Sequence, residues 1–256
     1  SDITIVDADG IGGACVLYDC VPSKTFIAST GVRTDARRAT DLGIELHIDS
    51  AVVELPQIHK RVKDLAYAQS ADIKARLMSE GVRLIAGVGE LADPVLGSAT
   101  HKVLAKCADG TEEVLDADVV LIATGARPRI LPDAQPDGER ILTWRQLYDL
   151  DELPTHLVVV GSGVTGAEFV HAYTELGVKV TLVSSRDRVL PGEDEDAALV
   201  LEDFGGGRVA AVSYDSREPI ARTLASFSIN LNGETDPNKI TTALELPELK
   251  TQPGQP

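Results

Sequence analysis

Basic residues are scarce in this chain: 24 Lys and Arg stand against 40 Asp and Glu, a formal charge of −16. A surface of that sign repels a phosphate backbone, which argues against nucleic acid as a partner. Cysteine is scarce as well, with three in 256 residues, too few for the disulfide framework of a small secreted domain. No stretch approaches the roughly 18 unbroken apolar residues of a membrane span, and no signal-peptide pattern stands at the start. The expectation is therefore a cytoplasmic protein with no transmembrane segment. What is present, 43% hydrophobic and 25% charged residues, is an ordinary globular composition, with length for one or two domains and a substantial core.

The chain opens abruptly. Ile3 to Val6 reads as a buried strand with the Asp7 carboxylate at its tip, followed at once by Gly10-Ile11-Gly12-Gly13 and by Cys15 and Cys20. Pro22 suits the first turn of a helix continuing through Thr25 to Arg38. A longer amphipathic helix is expected from about Leu55 to Glu80, with Leu55, Ile58, Val62, Leu65, Ile73 and Leu77 on one face and Gly81 ending it. Strand-like runs follow at 82–86, 102–107, 112–115 and 119–122, with Ala108-Asp109-Gly110 as a hairpin turn between the middle two. The last run, Val119 to Ile122, is apolar on both faces, as a central strand of a covered parallel sheet would be. After a proline-rich connection, 157–160 reads as a strand, 161–166 as a turn, 167–176 as a helix capped by Gly177, and 180–183 as a second strand. This later β-α-β unit is complete, whereas the opening one begins in its middle. Beyond Phe204 the character changes, and only 226–231 looks strand-like, at a sheet edge.

The strongest local signal is Gly161-Ser162-Gly163-Val164-Thr165-Gly166, a GxGxxG placed between an expected strand and an expected helix. The first glycine allows a tight turn, the second lets a pyrophosphate approach the backbone, and the third lets helix and strand pack closely. The bland alternative is a structural turn without ligand. NAD-binding units usually carry Asp or Glu at the tip of the next strand, on the ribose 2′-hydroxyl. Here Ser184 and Ser185 stand there, followed by Arg186. Loss of the carboxylate removes repulsion toward a 2′-phosphate and an arginine can clamp it, so NADPH is favoured over NADH.

Cys15 and Cys20 are five residues apart. In an ideal helix that spacing separates the Cα atoms by roughly 8.6 Å, beyond the ~7 Å a disulfide tolerates. A bridge between them requires an irregular start to the helix. Such a bond near a helix N-terminus is easily reduced; the alternative is two unrelated buried thiols. Cys107, on a strand before a turn, reads as structural.

Gly12-Gly13-Ala14-Cys15 through Cys20-Val21-Pro22-Ser23-Lys24 resembles the GGTCxNxGCxPSK segment of the flavoprotein disulfide reductases, the family of dihydrolipoamide dehydrogenase and glutathione reductase. Ala123-Thr124-Gly125 is similar to that family's ATG motif and Gly87-Val88-Gly89 to its GxG beside the flavin nucleotide. The stretch from Leu153 to Phe169 resembles its entry into the NAD(P) domain. The resemblance runs over residues 1 to about 204 and looks nearest to the actinobacterial NAD(P)H quinone reductase branch. It implies an α/β fold of two FAD/NAD(P)-binding Rossmann-like units, three-layered, with a small antiparallel meander. It divides the chain into a partial FAD-binding domain at 1–148 with the redox cysteines, a partial NAD(P)-binding domain at 149–204, and a divergent tail at 205–256, expected to be disordered.

Carried over residue by residue, the resemblance implies FAD and NADPH (or NADH) as cofactors. Asp7 would hold the FAD ribose, and Gly12, Gly13, Gly89, Thr124, Gly125 and Ala126 would line that cofactor. Gly161, Ser162, Gly163, Val164, Thr165, Gly166, Ser184, Ser185 and Arg186 would hold the nicotinamide dinucleotide. Cys20 would face the flavin, Cys15 would exchange with substrate, and Lys24 would sit near the flavin N5, paired with Glu168. A charge pair there would stabilise the negative reduced ring, although both residues also read as exposed helix charges. The implied activity passes hydride from NAD(P)H via FAD to a small-molecule acceptor, a disulfide or a quinone. The alternative is a non-catalytic nucleotide-binding fragment or an interaction protein without FAD. There are departures. Leu17 and Asp19 replace the family's Asn and Gly, and no FAD-type GxGxxG precedes Asp7. Beyond Phe204 the remainder of the family's pattern, including its catalytic His–Glu pair and the dimer domain of its homodimeric full-length members, is not found. None of His47, His59, His101, His156 and His171 has that histidine's context. A chain truncated at both ends and inactive alone is the expectation.

Overall fold

A computed structural model describes residues 2–46, 51–93, 100–132, 134–184 and 189–194, and the backbone of 212–213. The chain forms two compact units: Ser1–Thr25 with His59–Arg127, and Phe26–Ile58 with Pro128–Pro256. The division falls within two long helices, α2 (Cys20–Arg38) and α3 (Leu55–Ser79).

In the first unit a four-stranded sheet runs in the order β1 (Thr4–Asp7), β2 (Arg83–Leu91), β3 (His101–Cys107), β4 (Glu112–Ala117). β2 serves two partners in succession. Its first half pairs in parallel with β1, from Thr4↔Arg83 to Asp7↔Ala86, and its second half pairs antiparallel with β3, from Gly87↔Cys107 to Leu91↔Val103. Gly87 stands at the changeover, where an added Cβ would lie 2.2 Å from the Lys106 carbonyl oxygen. Only glycine lets the two strands approach there. The GxG read from the sequence as a cofactor motif thus begins with a glycine that the sheet itself demands. The turn between β3 and β4 falls on Ala108-Asp109-Gly110 as expected: Gly110 N–H donates to the Cys107 carbonyl at 3.0 Å, and Asp109 accepts from Thr111.

α3 matches its expected span. Its last turn closes with Gly81 N–H on the Met78 carbonyl at 3.1 Å and Val82 N–H on the Leu77 carbonyl at 3.0 Å, a Schellman arrangement that satisfies otherwise orphaned carbonyls. The expected apolar face needs one correction. Leu55, Val62 and Ala66 are each 1% exposed and His59 is buried with them, while Leu65 is 43% exposed. A seam stepping by seven, then four, passes through Ala66, and Leu65, one residue earlier, is rotated 100° away from it.

A second correction concerns Val119 to Ile122. These residues form no strand, and Val119, Leu121 and Ile122 are 84%, 88% and 66% exposed. An apolar run becomes a covered strand only where a neighbouring strand supplies its hydrogen bonds, and among the described residues none does.

The second unit contains β5 (His156–Val160), α4 (Val164–Glu175), β6 (Lys179–Ser184) and β7 (Val212–Ser213), in sheet order β5-β6-β7 with both pairings parallel. This is the expected β-α-β unit, with α4 starting three residues before the expected Ala167. Gly163 is its N-terminal flanking residue, and Ala167 N–H already closes on the Gly163 carbonyl at 2.9 Å. β7, beyond Phe204, was not expected, and the strand looked for at 226–231 lies outside the described residues.

Although aromatics make up 4% of the chain, four of them pack together in this unit. Phe26 on α2 lies 6.1, 6.2 and 5.4 Å, between ring centroids, from Tyr148, Phe169 and Tyr173. Such pairs contribute about 0.5–1.5 kcal/mol each beyond the area they bury. Burial also lifts the Tyr173 phenol far above its ordinary range. Arg33, on the same helix α2, donates from Nη1 to the Leu176 carbonyl at the end of α4, setting a cation on the negative end of that helix.

Candidate functional sites

In the second unit the glycine turn joins β5 to α4, and its three glycines answer to different constraints. Gly161 has φ +114°, which side-chain-bearing residues rarely adopt. Gly166 lies against the turn's own backbone, where a Cβ would sit 1.9 Å from the Gly161 carbonyl oxygen. Gly163 meets neither constraint: its φ is −72°, and nothing lies within 4 Å of where its Cβ would be. Packing among the described residues gives no reason for glycine at 163. Gly163 offers no side chain to cap α4, and among the described residues none does, so the amides of its first turn, beginning at Val164 and Thr165, are left for an external acceptor. Gly163 and Val164 are exposed and Thr165 is half-buried. The arrangement fits a pyrophosphate approaching at Gly163.

Ser162 and Ser184 are brought together, though not toward solvent. Both are buried, and their hydroxyls lie 2.6 Å apart. Gly161 N–H donates to the Val183 carbonyl at 2.8 Å, and the Ser162 carbonyl accepts from Leu190 N–H at 2.7 Å. Leu190 itself sits at φ +50°, alone among the described non-glycine residues in having a positive φ. Ser185 and Arg186, expected to face the 2′ position of the ribose, lie outside the described residues, as does His47.

In the first unit Asp7 ends β1 as expected, and its Oδ1 accepts from Gly10 N–H. Gly12 and Gly13 follow, leading into the short helix α1 (Gly13–Leu17). The loop is held from outside by Ser70 of α3, whose hydroxyl donates to the Ile11 carbonyl at 2.5 Å. Cys15 lies on α1 and Cys20 is the first residue of α2, with Tyr18 out of helical geometry between them at φ −133°. The irregular helix start that a Cys15–Cys20 bridge would require is therefore present. Both residues are exposed free thiols, and a hydrogen bond to Cys15 raises the Cys20 thiol pKa above its ordinary value. Burial and the nearby charges of Cys15 and Asp19 push the same way, while Lys24 opposes them.

Lys24 donates to the buried Ser23 hydroxyl at 3.4 Å. It belongs to the first unit and Glu168, on α4, to the second. Gly89 lies on β2 beside β1: its missing Cβ would stand 3.6 Å from Val6, an ordinary contact. Thr124, Gly125 and Ala126 are exposed and outside any strand. Space at Gly13 and Gly125 is open where a Cβ would be. The residues expected to line FAD lie in the first unit. The open backbone at Gly13 and Gly125 is compatible with a nucleotide cofactor, whereas a Cβ at Gly12, φ +102°, would stand 2.7 Å from Val16, so the chain's own packing requires that glycine. Sequence reasoning missed the Ser162–Ser184 contact, the Leu190 return and the Ser70 hydrogen bond.

Residues 1–204 match the family model described as pyridine nucleotide-disulphide oxidoreductase. Over 232 residues the chain is 68% identical to a protein from Mycobacterium tuberculosis named NAD(P)H dehydrogenase (quinone), covering 90% of this chain and 47% of that one. It is 32% identical over 200 residues to a dihydrolipoyl dehydrogenase from Chlorobaculum parvum, covering 78% of this chain and 41% of that one. Among solved structures it superposes on that of LpdA from Mycobacterium tuberculosis with a TM-score of 0.76 and 59% identity, covering 92% of this chain and 50% of the other. The chain thus spans about half the length of the curated relatives it matches.

Proposed function

Because the chain belongs to the pyridine nucleotide-disulphide oxidoreductase family, we propose that it carries the nicotinamide-dinucleotide loop and dithiol of an FAD-dependent NAD(P)H oxidoreductase. The electron acceptor is a small disulfide or a quinone. The carrying observation is Gly163, a glycine that no contact among the described residues requires, at the start of α4, where its flanking residue makes no side-chain cap. When bound, the dinucleotide would supply a hydride and FAD would supply the redox group between it and the acceptor.

The residues in hand bind and orient. Gly163 admits the pyrophosphate to the backbone, and the amides of Val164 and Thr165 bond it, aided by the positive end of the helix. Gly161 and Gly166 shape the turn. Arg186, with Ser185 beside it, binds the 2′-phosphate that distinguishes NADPH. Asp7 retains its second carboxylate oxygen for a ribose hydroxyl, and Gly12, Gly13, Gly89, Thr124, Gly125 and Ala126 line the flavin nucleotide. Cys15, the outer thiol, exchanges with a disulfide acceptor, Cys20 is its partner, and Lys24 contributes positive charge near the second thiol.

A second reading, a nucleotide-binding chain without turnover, gains support from the roughly half of the relatives' length that lies outside the match. We assign it to residues 1–256 taken alone. The visible spectrum of the purified chain, followed by NADPH oxidation with added FAD and a quinone or lipoamide, separates the two. Stoichiometric flavin with steady NADPH oxidation means that residues 1–256 are an enzyme by themselves. Colourless protein that still binds NADPH supports the second reading, and failure to bind either dinucleotide contradicts both.

A further inference from the structure

We propose that Ser184 and Ser162 form a buried hydroxyl pin that holds the glycine turn in its nucleotide-ready shape, and that Ser184 is a positioning residue, not a contact to the nucleotide. The inference rests on the proposed dinucleotide site at 161–166. Four observations lead to it. First, the parallel register of β5 and β6 ends with Val160 opposite Val183, which brings Ser162, two residues past the end of β5, level with Ser184, the last residue of β6, itself paired on its other side with Ser213 of β7. Second, their hydroxyls meet at 2.6 Å, with Ser184 2% and Ser162 4% exposed. A hydroxyl buried this deeply is tolerated where it is hydrogen-bonded, and an inward-facing Ser184 is withdrawn from the ribose-binding position that its place at the strand tip suggests.

Third, backbone hydrogen bonds flank the pin, one to the strand tip and one to the segment that follows it. Gly161 N–H bonds the Val183 carbonyl and Leu190 N–H bonds the Ser162 carbonyl. Fourth, Leu190 is held at φ +50° while buried beside Leu182 and Val189. Such a conformation persists in a non-glycine residue where its surroundings over-determine it. Ser162 is therefore fixed through its hydroxyl and its carbonyl. With its side chain spent inward, it leaves the turn's amides aimed outward past the open Gly163. A turn already in its bound shape avoids the cost of ordering when the pyrophosphate arrives.

The test uses the 256-residue chain and its Ser184→Ala, Ser162→Ala and doubly substituted variants. Calorimetric titration with NADPH and with NADH is combined with hydrogen exchange at the Gly161 and Leu190 amides of the nucleotide-free protein. Each single variant is expected to bind both dinucleotides roughly three- to tenfold more weakly, the effect of one ordinary hydrogen bond. The NADPH-to-NADH ratio should be unchanged, and the double variant should be weaker than either single by less than the sum of the two losses, since each single variant already removes the bond the two hydroxyls share. Exchange at Leu190 should quicken. A changed ratio in Ser184→Ala would make Ser184 a direct contact and overturn the proposal, as would additive losses or unaltered exchange. If Ser184→Ala does not fold, Ser162→Ala removes the same bond from the turn's side and decides alone. If the unsubstituted chain binds neither dinucleotide, the proposed nucleotide site fails, and exchange at Leu190 still decides the pin: faster in the variants sustains it, unchanged overturns it.

Discussion

The two glycine-rich turns end strands of similar character, yet the protein treats them differently. After β5, the turn leads into a 12-residue helix; a buried hydroxyl pair and one backbone hydrogen bond tie it to the strand beside it, and a second backbone hydrogen bond ties it to Leu190 beyond that strand. After β1, the turn leads into a five-residue helix, is held from α3 by the Ser70 hydroxyl, and delivers two exposed thiols. The difference follows from what each would do. A pyrophosphate is bound by fixed amides, and rigidity helps. A thiol pair that exchanges with an acceptor must be reachable and must change its bonding, which suits an exposed break between two helices.

The sharpest way to break this comparison is to add a methyl group where the backbone leaves no room. Gly166→Ala places a Cβ on the Gly161 carbonyl, and Gly87→Ala places one on the Lys106 carbonyl. Each is expected to cost about 3 kcal/mol or more in urea unfolding, because backbone cannot move aside as a flexible side chain can. A parent-like unfolding midpoint in either variant would mean that these glycines are not structural.

Next in size is nucleotide selectivity. Arg186→Ala is expected to weaken NADPH roughly tenfold or more, since hydrogen bonds to charged groups contribute about 1.5–3 kcal/mol each. NADH binding should be almost unaffected. Equal losses for the two dinucleotides in calorimetry would remove Arg186 from the 2′ site.

The thiol turn sharpens the contrast from the other side. Folded protein kept in air should expose only Cys107 to a thiol reagent, and mild reductant should release two more thiols. Three reactive thiols at the outset would show that Cys15 and Cys20 do not bridge. The smallest effect is expected in reduced protein. The hydrogen bond to Cys15 favours protonated Cys20, so Cys15→Ala should bring the pH midpoint for Cys20 alkylation down toward that of an ordinary thiol. A midpoint that stays or rises would contradict the assigned contact.

How far the molecule could be read from its residues depended on whether a feature is local. The turn at Ala108-Asp109-Gly110, the end of α3 at Gly81 and the β-α-β run around Gly161 are set by neighbours close in sequence, and all were legible. Val119 to Ile122 was not, because a strand exists by its partners and an apolar pattern does not supply them. Leu65 was misplaced because one residue on a helix turns a side chain by 100°, enough to exchange the seam for solvent. The Ser162–Ser184 pair joins residues 22 positions apart, a pairing fixed by the parallel register of β5 and β6, which sequence alone does not number. The glycine signature was visible as a pattern, but the division of its glycines into two that the turn's shape requires and one that it does not required the backbone.

That division is tested most directly at Gly163. Titrating NADPH into the 256-residue chain and its Gly163→Ala variant, with urea unfolding of both, isolates the one glycine that packing does not require. The expected result is unfolding unchanged within about 0.5 kcal/mol, as for a substitution into open space. NADPH binding should weaken about tenfold or more as the new methyl group holds the pyrophosphate off amides whose bonds to it contribute about 1.5–3 kcal/mol each. Equal NADPH affinity in the two proteins would contradict the assignment of this turn to the dinucleotide.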